Sequence, residues 1–254
     1  MNTHLESADT QPETSEDIKT LSIKRHKPFL TTPIAIIIAA IILGMSHILY
    51  AIIIEGKSSS DTTYFLGSSL GENSYATGNI KSDVLVVEYS DTECPFCARL
   101  YPTMSEIQRN YSDKVAFDYR HFPLTSIHPN AFGEAVAIEC IGQELGAAKR
   151  REYIDRLFSY KINNNSMKLP NGAKEALAKD VGANATTFAS CLSQQTSSDI
   201  VNAYIADGIQ AGVSGTPATF VLKRNGDRYE QIAAIEGARE YAYIEAAILS
   251  ALKK

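Results

Sequence analysis

Pro33 to Ile54 forms a run of 22 residues without a formal charge. As a helix it would be about 33 Å long, enough to cross a hydrocarbon core. A cleaved signal peptide would have a shorter apolar region and a cleaner small-residue exit. The run therefore predicts an uncleaved single-pass anchor, with a cleaved signal as the alternative. Lys19, Lys24, Arg25 and Lys27 precede it, and only Lys57 follows within the next 20 residues. That asymmetry predicts a cytoplasmic N-terminus and everything beyond Ile54 outside. Residues 1-28 are polar without apolar period and read as a disordered tail. Residues 29-54 hold the anchor, and the Ser- and Gly-rich stretch 55-75 reads as a flexible tether.

From residue 76 the pattern is that of a globular domain running to 254. Val84 to Tyr89 predicts a buried strand and Ala98 to Asn110 a helix. Lys114 to Phe122 alternates apolar and polar residues, predicting a second strand parallel to the first. From about 125 to 212 the spacing is helical. Pro129 suits a first helical position, with Phe132, Val136 and Cys140 on one stripe. A helix follows over Ala148 to Tyr160, then one capped by Asn171 and ended by Gly182. Phe188, Cys191 and Leu192 form another stripe, and a last helix spans about Ser198 to Ala211. The block is too long for a loop and reads as an inserted helical subdomain. A strand from Pro217, an Asn225-Gly226 turn, a strand over Arg228 to Ile235 and a helix over Ala238 to Leu252 complete an α/β fold.

Net charge is −5, which argues against a nucleic-acid partner. The four cysteines fit two disulfides in an oxidising compartment or free thiols in a reducing one. The predicted topology favours the former.

Cys94-Pro95-Phe96-Cys97 lies between the first strand and its helix. A cysteine at a helix N-terminus is favoured as thiolate, and one a turn further on can close a ring with it. CxxC is also half of a zinc site. A zinc site needs a second ligand pair, yet Cys140 and Cys191 lie 51 residues apart and no histidine pairs locally with either. The pair is therefore read as redox-active, with no metal and no cofactor. Cys140 and Cys191 fall on apolar helical stripes. A bridge between them would contribute about 4 kcal/mol by chain entropy; two buried free thiols are the alternative. Asp91 and Glu93 read as solvated loop carboxylates. His121 and His128 read as a strand-end and a helix-cap histidine satisfied by neighbours.

Four segments agree in order and spacing with one family. Glu88 to Pro102 (EYSDTECPFCARLYP), Tyr119 to Leu124 (YRHFPL), the helical insertion and Gly215-Thr216-Pro217 resemble the DsbA-like extracytoplasmic thiol-disulfide oxidoreductases. The resemblance covers about residues 76 to 254 and implies a thioredoxin-like core. By it, Cys94 is the exposed attacking cysteine and Cys97 the buried resolving one. Glu88 is the acid that takes a proton from the buried cysteine, desolvated by its strand. Thr216-Pro217 is the cis-proline loop that offers backbone to an extended substrate. Pro95 and Phe96 tune the pair. The family's name-giving member has His where Phe96 stands, and Phe cannot hydrogen-bond the sulfur. A weaker oxidant follows, with a Cys94 pKa above that of the strongest oxidases.

The implied partners are reduced exported proteins as substrates and a quinone-linked membrane re-oxidase, with the chain a monomer. The expected location is a bacterial inner membrane, the catalytic domain in the periplasm or outside the cell. Two other readings use the same sequence: an isomerase or reductase, and a non-enzymatic holdase for exported chains.

Overall fold

Alternation along Val84–Ser90 (β2) sorts the two faces of a five-stranded sheet. Val84 and Val86 point to one face, Leu85, Val87 and Tyr89 to the other, and all are buried. The structure is a computed structural model that describes residues 75–253 apart from residue 227. The predicted tail and anchor, and the tether up to residue 74, lie outside the described residues. Among the described residues no helix is long and apolar enough to cross a membrane.

β2 pairs in parallel with β3 (Ala116–His121) and antiparallel with β4 (Ala218–Asn225). β1 (Thr77–Gly78) flanks β3, and β5 (Arg228–Glu236) flanks β4, giving the order β1-β3-β2-β4-β5. Asn225 pairs with Arg228, which sets the hairpin one residue later than an Asn225-Gly226 turn. Gly226 takes φ +63°, the conformation that such a turn demands and that a side chain disfavours.

Helix α1 (Pro95–Tyr111) joins β2 to β3. Its buried stripe of Leu100, Met104 and Ile107 packs with Ile244, Ile248 and Ala251 of α7 (Tyr241–Lys253) against Val84, Val86, Phe117 and Val221. It starts three residues before the expected Ala98, because Pro95 already has the φ of a first helical residue. Five helices run between β3 and β4: α2 (Ala131–Leu145), α3 (Ala147–Asn163), α4 (Ala173–Asp180), α5 (Ala185–Leu192) and α6 (Gln195–Gln210). Helix α2 begins two residues after Pro129, with Asn130 as its N-cap residue. Gly172, not Asn171, caps α4.

Helix α6 lies close to the second sheet face. A Cβ on Gly208 would come within 2.7 Å of the Phe122 ring and 3.1 Å of Tyr89, so only glycine permits this approach. The other helices close an apolar cluster of their own around Ile138, Ile141, Tyr153, Leu157, Phe158 and Phe188. Cys94 and Cys97 belong to that same cluster, which places the CxxC pair where sheet, α1 and helical insertion meet.

Candidate active site

Cys94 is the N-cap residue of α1, with extended backbone and Pro95 following it. Its carbonyl accepts the first intrahelical bond, from the Ala98 N–H at 3.1 Å. The free N–H groups of the first turn therefore face the Cys94 sulfur. Cys97 lies one turn in and is fully buried; both are free thiols.

The two sulfurs differ sharply in acidity. Cys94 is lowered to about 5, first by a hydrogen bond from Cys97 and then by the Thr216 side chain and the N–H groups of Cys97 and Phe96, against the opposing effect of burial. Cys97 is pushed well above the ordinary thiol value by burial, then by its hydrogen bond to Cys94 and the adjacent thiolate charge. The Phe96 side chain adds no polar contact to the sulfur. Its ring is half-exposed, with the Arg99 guanidinium 5.2 Å from its centroid. Only 3% of Cys94 is open to solvent, less than the expected exposed cysteine. Its neighbours Pro95 and Phe96 are exposed, so the sulfur lies just beneath the surface.

Thr216-Pro217 is a cis peptide bond, and the Thr216 carbonyl accepts a hydrogen bond from the Cys94 thiol at 3.4 Å. Sequence positions 122 residues apart thus meet at one sulfur. Beside this loop lies a cleft of about 270 Å³, lined among others by Val213, Thr216, Pro217, Phe220 and Ile235.

Glu88 lies on the sheet face that α1 covers, two and four residues along from Val86 and Val84. It is buried, and burial raises its pKa, an effect reduced by the Arg151 charge and the Ser90 hydroxyl.

The loop Asp91-Thr92-Glu93 departs from expectation. These residues are not solvated but 1%, 2% and 3% exposed. Each is tied to the chain beyond β3. Asp91 Oδ2 accepts from the Leu124 N–H at 2.7 Å and pairs with His128 Nδ1 at 2.8 Å. Glu93 accepts from the backbone and side-chain N–H groups of Asn130, both at 2.8 Å. Thr92 donates its hydroxyl to Glu134. The fully buried Lys161 donates to the Thr92 carbonyl at 2.9 Å and to Glu134 at 2.6 Å. Burial raises the pKa of Glu134 and lowers that of Lys161, and each partner's charge opposes the shift.

The reading of sequence missed Lys161 and Glu134, and a signal for them exists. On α3 the buried positions are Arg150, Tyr153, Ile154, Leu157, Phe158 and Lys161. A cation on an apolar stripe calls for a buried anion opposite. Arg150 finds Glu139 at 2.7 Å, and Glu139 also binds His121 Nε2 at 2.8 Å. His121 and His128 are thus satisfied by carboxylates, and neither reaches a thiol.

Cys140 and Cys191 are bridged, linking α2 to α5 across 51 residues. The Cys191 sulfur lies 3.1 Å from the buried Ser197 hydroxyl.

A thioredoxin-type sheet, a CxxC pair at the start of its first helix and a cis-proline against the leading sulfur together define a thiol-disulfide oxidoreductase. A family profile described as thioredoxin matches residues 71–241, and the chain belongs to that family. Its fold is that of the DsbA-like proteins. The Wolbachia pipientis alpha-DsbA1 structure is 19% identical with a TM-score of 0.59, covering 72% of this chain and 92% of its own. BdbD from Bacillus subtilis is 20% identical with a TM-score of 0.58, covering 72% and 94%. A periplasmic thioredoxin-like protein from Salmonella enterica serovar Typhimurium gives 20% and 0.57, covering 72% and 91%. Curated relatives by sequence include Na(+)/H(+) antiporters NhaA 1. The match in Mycolicibacterium gilvum is 38% identical over 68 residues, and that in Mycobacterium sp. (strain KMS) 33% over 84. These stretches take in 27% and 33% of this chain but only 11% and 13% of the antiporters.

Proposed function

We propose that the protein is an extracytoplasmic oxidase of protein thiols, introducing disulfides into exported proteins. One observation carries the reading: Cys94 caps the N-terminus of α1 beside the fully buried Cys97, a placement that lowers the Cys94 pKa to about 5 while burial pushes that of Cys97 well above its ordinary value. A stabilised Cys94 thiolate favours the reduced pair and so makes the disulfide form an oxidant. A pKa of about 5 lies between the roughly 3.5 of DsbA and the roughly 7 of thioredoxin.

The reaction begins with the pair oxidised. A substrate thiolate attacks the Cys94 sulfur, the Cys94–Cys97 bond breaks, and Cys97 leaves as thiolate. Burial makes that charge costly, and Glu88, its own pKa raised, supplies the proton. A second substrate thiolate then attacks the mixed disulfide. The substrate leaves oxidised, and Cys94 leaves as the thiolate that its helix N-terminus stabilises. Thr216 and Pro217, with the adjoining cleft, hold the substrate backbone as an extended strand.

The Cys140–Cys191 bridge has a structural role in this scheme. A quinone-linked membrane partner takes the two electrons from the reduced pair. An anchor over residues 29-54 keeps the 76-254 domain beside that partner, as a monomer on the outer side of a bacterial inner membrane.

The test is the equilibrium reduction potential of the full-length chain in glutathione buffers, with refolding of a reduced protein assayed on the same samples. The expected value lies between about −270 mV and about −120 mV, with disulfides formed in the substrate. A value at the thioredoxin end, with no substrate oxidation, would replace the oxidase by a reductase or isomerase.

A further inference from the structure

Around Cys97 the sheet carries buried polar groups that the reaction above does not use. Glu88 pairs with Tyr119 on β3 and with Thr219 on β4, so these three form one row across three strands on the face beneath α1. Ser90 is the next residue of β2 on that face, and it is 1% exposed. The Cys97 sulfur accepts the N–H of Asp91 at 3.4 Å, which sets it directly beyond Ser90. The hydroxyls of Ser90, Tyr119 and Thr219 are buried without a well-formed hydrogen bond. Burying an unbonded hydroxyl costs roughly 1–3 kcal/mol, so a cluster of three implies a use. The Ser90 hydroxyl nevertheless stands near enough to Glu88, Cys97 and Tyr119 to favour the charged form of each.

We infer that Ser90 is the proton relay between Cys97 and Glu88, with the Tyr119 and Thr219 hydroxyls flanking the carboxyl. The inference rests on Glu88 being the proton store of the proposed reaction. The Cys97 thiol gives its proton to Ser90 Oγ while the Ser90 hydroxyl proton passes to the Glu88 carboxylate. One S–H and one O–H bond break, two O–H bonds form, and no electron changes hands. The Cys97 thiolate then attacks a mixed disulfide at Cys94 and expels the partner's thiolate. Run backwards, the same relay protonates Cys97 as it leaves, so it serves oxidation and reduction alike. A hydroxyl suits this task because it donates and accepts at one atom and turns about a single bond.

The experiment follows ring closure in the full-length chain. Reduced protein is mixed with oxidised glutathione, acid-quenched at intervals, and the Cys94–glutathione adduct is counted by mass spectrometry between pH 5 and pH 9. Iodoacetamide alkylation of Cys94 is measured alongside. Ser90→Ala is expected to slow ring closure roughly tenfold or more at neutral pH and to move its pH midpoint upward, with Cys94 alkylation unchanged. Ser90→Thr, which keeps the hydroxyl, restores the rate; Glu88→Gln reproduces the loss. Closure at the wild-type rate and midpoint in Ser90→Ala overturns the relay, as does a fall in Cys94 alkylation that matches the fall in closure. If Glu88→Gln slows closure while Ser90→Ala does not, the relay alone fails. If neither slows it, the Glu88 reading fails as well.

Discussion

Cys94 and Cys191 are 3% and 7% exposed, so access to solvent does not separate the reactive cysteine from the bridged one. Nor does apolar packing, since all four cysteines belong to a single cluster. Helix position separates them. Cys94 caps the N-terminus of α1 and Cys97 follows within its first turn. Cys140 lies deep within α2, and Cys191 falls in the last turn of α5. The peptide dipoles that stabilise a thiolate at the first site oppose one at the end of α5. Geometry adds to this: the CxxC pair faces an exposed rim and the Thr216 carbonyl, whereas Cys140–Cys191 crosses between two helices.

The comparison breaks most directly at the leading sulfur. Cys94→Ser should reduce disulfide exchange to the uncatalysed background, measured with a reduced protein substrate, with Cys140–Cys191 still intact by mass. If Cys94→Ser still suppresses aggregation of an unfolded exported protein while its exchange is lost, the holdase reading becomes the leading one.

Next in size is the pH response. Alkylation of Cys94 in the reduced chain should follow a titration with its midpoint near pH 5, losing about tenfold per unit below it. Cys97 should stay unmodified until well into the alkaline range. The stability sign follows. The folded pKa of Cys94 lies below that of an unfolded thiol, so ionised Cys94 stabilises the reduced fold, in full once pH reaches the ordinary thiol value; above that value the raised pKa of Cys97 acts the other way. The Cys94 contribution is lost as pH falls through about 5. Melting temperatures of reduced and oxidised chain over that window would show it; a reduced form insensitive to pH there would contradict the assignment.

Removing the other pair should act on stability instead. Cys140→Ala with Cys191→Ala opens a loop of 51 residues and should cost about 4 kcal/mol in denaturant unfolding. Cys94 alkylation should be unaltered. A large change in that rate would mean that the two pairs are coupled.

The smallest expected effect sharpens the contrast within α5. Asn184 caps this helix, accepting from the Thr186 and Thr187 N–H groups at 3.0 and 3.1 Å. Asn184→Ala should cost about 1 kcal/mol, read by thermal melting, and leave exchange untouched.

What could be read from the chain was what lies close along it. The CxxC spacing, the strands that frame it and the helical periods beyond are local patterns, and they placed Cys94 at a helix start. Asp91 and Glu93 misled because acidic side chains just before a helix look like those of any solvated turn. The burial of their loop depends on Lys161, 69 residues from Thr92, and on Asn130 and His128, each 37 residues from its acid. No local period encodes such a pairing. The trace left was indirect: Arg150 and Lys161 on an apolar stripe, and Glu134 and Glu139 among the alanines and isoleucines of α2. Ser90 gave no signal of its own until the register placed Glu88, Tyr119 and Thr219 in one row.

The distance between Cys94 and Thr216 also sets a timetable. A ribosome adding roughly 5–20 residues per second needs about 6 to 24 seconds to cover the 122 residues between them. Lys161, which fastens the loop behind the nucleophile, is made just past the middle of that interval, while Thr216 and Pro217 arrive at its end. Until then the nascent chain carries Cys94 without Thr216, one of the groups that lower its pKa. The reactive sulfur therefore reaches its full setting only on completion of the fold, and a chain truncated before β4 would carry the CxxC helix start without the Thr216-Pro217 loop that faces it.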